Sequence, residues 1–72
     1  MRKLLSSAFL VVYSGAQLAE KVYLLDCRNN YMYILEQETA EQFKMCISLI
    51  QLGRHDNESF AVFDEIGVFV NE

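Results

Sequence analysis

The chain has 72 residues, with ten acidic side chains against six basic ones for a formal charge of −4. So short a chain makes one small domain, and 53% hydrophobic residues with three Gly and no Pro exclude a disordered or low-complexity segment. The acidic balance argues against direct binding to nucleic acid, where affinity comes mainly from Lys and Arg displacing counterions.

The charge is unevenly placed. Residues 1–35 hold Arg2, Lys3, Lys21 and Arg28 against Glu20 and Asp26, whereas from Glu36 onward eight acidic residues face only Lys44 and Arg54. That half suits a protein partner with a basic surface, or imitation of nucleic acid. A domain of this size has a high surface-to-volume ratio and a core good for roughly 3–5 kcal/mol of net stability, so its apolar excess already points to an interface.

The opening "MRKLLSSAFLVVYSGAQLA" has two readings. Arg2-Lys3, the apolar run Leu4–Tyr13 and Ser14-Gly15-Ala16 have the three-part form of a cleaved secretory signal. On that alternative residues 1–16 are lost, the protein is exported, and a Cys27–Cys46 disulfide can form. Ser6-Ser7 weaken the front of the run, however, and cleavage would leave the small core short of a strand. Ala8–Tyr13 is therefore read as a buried strand. Leu5, Phe9, Val12, Ala16 and Ala19 also lie near one helical face, but Val11-Val12-Tyr13 and Gly15 lower helix propensity. No apolar run reaches the roughly 18–20 residues of a membrane span, so a soluble, cytoplasmic protein with reduced thiols is expected.

Val22–Cys27, Arg28-Asn29-Asn30 and Tyr31–Glu36 read as a β-hairpin, since Asn tolerates the positive φ of tight turns and the flanks are rich in Val, Tyr, Ile and Leu. In its second strand Tyr31, Tyr33 and Leu35 share one face and Met32 and Ile34 the other. Both faces are apolar, which suits a central strand or one covered by a partner.

Thr39 to about Leu52 reads as the one helix, with Thr39 as N-cap, Gln42 in the capping-box position, Glu41 near the positive end of the dipole and Gly53 as the stop. "RHDNES" follows as a polar loop. "FAVFDEIGVFVNE" reads as a bent strand or tight hairpin turning at Asp64-Glu65 or Gly67. The expected fold is α+β: a small antiparallel sheet of four or five strands with one helix on one face, in the order β-β-β-α-β with a further strand optional.

On that helix Ala40, Phe43, Cys46, Ile47 and Ile50 form a core face, while Glu41, Lys44, Ser48 and Gln51 lie opposite. Met45, Leu49 and Leu52 form a second apolar stripe beside the first. Either neighbouring strands wrap it, or it is a contact stripe for a second copy or another protein.

Chemistry-bearing residues are few. Two cysteines without CxxC or finger-like spacing argue for free, buried thiols rather than zinc. His55, Asp56 and Glu58 could build a metal site or a His–Asp dyad in a minimal enzyme, but all three sit in one polar loop where such residues are common. The acid pairs Glu36/Glu38 and Asp64/Glu65 lack a calcium-loop pattern. Tyr13, Tyr23, Tyr31 and Tyr33 lack the interleaved Lys and Arg of a single-strand platform. No phosphate loop, GxSxG or HExxH is present, so neither an enzyme nor a cofactor is expected. The sequence thus implies an acidic interaction module that occludes a partner, as an inhibitor or adaptor does, for example a phage-type anti-defence protein aimed at a basic, nucleic-acid-binding surface. The partner-facing residues are expected to be Met45, Leu49, Leu52, Asp56, Glu58, Asp64 and Glu65.

Overall fold

The computed structural model describes residues 3–14, 21–54 and 57–71. Along the chain run β1 (Lys3–Leu5), β2 (Phe9–Tyr13), β3 (Lys21–Asp26), β4 (Tyr31–Glu36), α1 (Gln37–Gln51), α2 (Asn57–Ala61) and β5 (Phe69–Asn71). The class is α+β, with one main helix. The five strands are divided between two antiparallel sheets: a three-stranded sheet in the order β2-β3-β4 and a two-stranded ribbon of β1 with β5.

The central strand shows why the larger sheet forms. In β3 burial alternates strictly: Val22, Leu24 and Asp26 are buried, and Lys21, Tyr23 and Leu25 are half-buried on the other side. The hairpin to β4 pairs Lys21 with Glu36 through to Asp26 with Tyr31, and the turn closes with Asn30 at φ 52, the conformation expected of Asn there. As the third strand of the sheet, β4 is an edge rather than the centre. The expected buried strand at Ala8–Tyr13 is present as β2, also at an edge, and only Phe9 in it is fully buried.

Helix α1 begins two residues before the expected start. Pairing of β4 persists through Glu36, so the chain enters the helix at Gln37 with φ 52, and Glu36 occupies the N-cap without a side-chain cap bond. Thr39 is therefore inside the first turn and not the cap. The C-terminus ends as expected at Gly53, φ 70: its N–H donates to the Ile50 carbonyl and the Arg54 N–H to that of Leu49, which satisfies carbonyls the helix would leave open.

The largest departure from expectation lies after residue 56. Phe60 and Ala61 belong to α2 and residues 62–67 are turns, so only Phe69–Asn71 is strand. Helical spacing lets Phe60 and Phe63 both point inward, which a strand of alternating faces would not. Gly67, φ 76, does mark the turn before β5.

The core lies between α1 and one face of the three-stranded sheet. Ala40, Phe43 and Cys46 of α1 meet Phe9, Val22, Leu24 and Leu35, with Phe60, Phe63, Val68 and Phe69 closing the end. Phe69 stacks on Phe43 at 5.3 Å and meets Phe60 and Phe63 edge-on at 5.1 and 5.7 Å, which ties the β1–β5 ribbon to the core. Among the described residues no helix is long and apolar enough to cross a membrane.

Candidate functional site

Register and alternation assign every side chain of the three-stranded sheet to a face. Val11, Leu24 and Tyr33 form one cross-strand row and Tyr13, Val22 and Leu35 the next, both on the side that α1 covers. Leu10, Leu25 and Met32 form a row on the opposite face, followed by Val12, Tyr23 and Ile34. All six are apolar or aromatic. Among the described residues no element packs over them: Leu10, Val12, Met32 and Ile34 keep 48–55% of their surface open, and Tyr23 and Leu25, on the central strand, are half-buried.

The patch is bounded at one end by an ion pair, Lys21 Nζ to Glu36 Oε1 at 3.6 Å. At the other end is the 27–30 turn. There the buried Asp26 carboxylate accepts the Arg28 and Asn29 backbone N–H groups at 3.0 and 3.3 Å and the Asn29 side-chain amide at 2.7 Å. The Asn29 amide is the main cause that holds Asp26 below the ordinary carboxylate value; burial opposes it, and the two backbone donors and the Arg28 charge assist. Asp26 thus shapes the hairpin end and stays charged.

The residues expected to face a partner are dispersed. Met45 on α1 and Leu52 at its C-cap are exposed, whereas Leu49 is half-buried and packs against the core. Glu58 is exposed on α2, and Asp64 and Glu65 are exposed in the turns after it. Asp56 and His55 lie outside the described residues. Among those described, no three His, Cys, Asp or Glu side chains are placed to hold a metal ion.

The Cys27–Cys46 bridge is not formed. Against the expectation of burial, Cys27 is exposed because it falls in the hairpin turn, whereas Cys46 is buried as expected and its thiol donates to the Ser59 carbonyl at 3.3 Å, linking α1 to α2. Nor do the tyrosines make one platform: Tyr13, Tyr31 and Tyr33 fall on the helix-facing side of the sheet by alternation and Tyr23 on the other.

Sequence reasoning missed the contribution of Leu10, Val12, Tyr23 and Leu25 to a surface. The available signal was that three consecutive segments are apolar in both alternating sets while the chain supplies a single helix long enough to cover one face. Charge separates from this face. Among the described residues, the exposed acids other than Glu36, namely Glu38, Glu41, Glu58, Asp64 and Glu65, are carried by α1, α2 and the turns that follow. Compared with protein-family models, curated proteins and solved structures, the chain matches none.

Proposed function

We propose that this chain is a non-catalytic protein-interaction module with an apolar docking face and an acidic helical side. The observation that carries the reading is the uncovered six-residue face of the β2-β3-β4 sheet. A contiguous apolar patch of this kind, on a small chain with few spare stabilising contacts, is characteristic of an interaction surface. The acids on α1, α2 and the 62–67 turns favour approach of a basic partner through electrostatic steering, which fits an inhibitor or adaptor.

The test is retention of partners from an extract of the native host by the full chain and three variants. Val12→Lys/Ile34→Lys removes the apolar face, Glu58→Gln/Asp64→Asn/Glu65→Gln removes acidic charge, and Met45→Lys/Leu52→Lys alters the exposed helix residues. The reading expects the first two to reduce specific retention, the acidic variant most strongly at low salt. Retention that depends on Met45 and Leu52 alone would overturn it.

A further inference from the structure

From the face's composition and size we infer that its occupant is a second copy of this chain, giving a reversible dimer packed sheet to sheet. The inference rests on the reading of that face as a docking surface and adds what docks there.

Chemistry selects the occupant first. Leu10, Val12, Tyr23, Leu25, Met32 and Ile34 present no charged group, and the flanking Lys21–Glu36 pair is neutral as a unit. A charged surface finds no counter-charge on this face. Its complement is another apolar sheet face, and each copy of the chain carries one.

Electrostatics permits the pairing despite the net charge of −4. With the sheets face to face at about 10 Å, the acid-bearing helical layers lie on the two outer sides, separated by both sheets. Two copies therefore meet without bringing together the acids of α1, α2 and the 62–67 turns, and Glu36, at the end of the face, is paired with Lys21. An isologous two-fold contact places β3 of one copy over β3 of the other, so the half-buried Tyr23 and Leu25 are at the centre and the more exposed Leu10, Val12, Met32 and Ile34 surround them.

Area sets the strength. Three strands about 4.8 Å apart, five residues long in β2 and six in β3 and β4 at about 3.3 Å each, give a flat footprint of roughly 270 Å² per copy. Even with side-chain relief the pair stays at the low end of specific interfaces, below about 1,200 Å² in total, where contacts are weak or transient. The dimer dissociates on dilution, and it leaves both acidic helical sides free for other partners.

The experiment is sedimentation equilibrium of the full chain from about 1 μM to about 1 mM, a range that brackets weak self-association. The mass is expected to rise from 8.3 kDa toward twice that value. Val12→Lys/Ile34→Lys is expected to remain at monomer mass with an unchanged far-UV circular dichroism spectrum, and Met45→Lys/Leu52→Lys to associate as the parent does. If the lysine variant fails to fold, Val12→Thr/Ile34→Thr serves in its place. A parent that stays monomeric throughout, yet binds an apolar dye that Val12→Lys/Ile34→Lys does not bind, overturns the second copy while the docking face stands. A dimer indifferent to the face variants overturns both.

Discussion

Adjacent residues of β4 provide a sharp internal comparison, because Leu35 points into the core at 6% exposure and Ile34 points out at 51%. Replacing either by Ala removes three carbons, worth about 2.4 kcal/mol at ~0.8 kcal/mol per fully buried carbon. At Leu35 the whole of that is lost and a cavity is left, for a cost of about 2–5 kcal/mol. Against a total of roughly 3–5 kcal/mol for so small a core, Leu35→Ala is expected to be largely unfolded at room temperature. At Ile34 about half the transfer energy is in play within one chain and no cavity forms, so Ile34→Ala costs about 1 kcal/mol and the fold persists. The other half appears on association. Two copies of Ile34 then contribute about 2.4 kcal/mol, or a ~60-fold weaker dimer for Ile34→Ala, as an upper bound. Urea unfolding followed by circular dichroism at low micromolar concentration measures the first effect, and sedimentation equilibrium the second. A loss of stability in Ile34→Ala as large as in Leu35→Ala would refute the assignment of the two faces.

Asp26 is held charged by the Asn29 amide and two backbone N–H groups, so its carboxyl titrates below its ordinary value of 3.8 in the folded chain. A lowered folded value favours the native state above the unfolded pKa, and the contribution is lost as pH falls through the folded value. The melting temperature should therefore drop below about pH 4, and Asp26→Asn should flatten that part of the profile; an identical profile would exclude the role given to the turn. Gly53 has open space where a side chain would project, so Gly53→Ala should cost only the left-handed backbone penalty, about 1 kcal/mol by urea unfolding. A loss several times larger would mean a steric role. Phe69→Ala, which removes three ring contacts, should cost about 3–5 kcal/mol and leave the chain mostly unfolded by circular dichroism. Near-native stability would show that the β1–β5 ribbon is not held by this residue.

The local elements with strong chemical signals were legible in the chain. Alternation in Val22–Asp26, Asn30 in the turn, the core face Ala40, Phe43, Cys46, Ile47 and Ile50, and Gly53 as the stop all follow from periodicity and backbone preference. What escaped was set by tertiary context. Thr39 is a good cap, but β4 pairs through Glu36 and fixes the helix start earlier. "FAVF" is compatible with strand or helix, and the demand to bury both Phe60 and Phe63 in one small core decides for helix and turn. The candidate surface was hidden for a similar reason. Leu10, Val12, Met32 and Ile34 are as apolar as the core residues beside them, and only the side on which α1 packs separates inside from outside.

The most direct test of the central claim is an isotope-filtered nuclear Overhauser measurement on an equimolar mixture of labelled and unlabelled chains near about 1 mM, where weak dimers are populated. The account predicts intermolecular methyl contacts among Leu10, Val12, Leu25, Met32 and Ile34, and none from Leu24 or Leu35 on the covered face. Intermolecular contacts confined to Met45 and Leu52, or none at all, would contradict it.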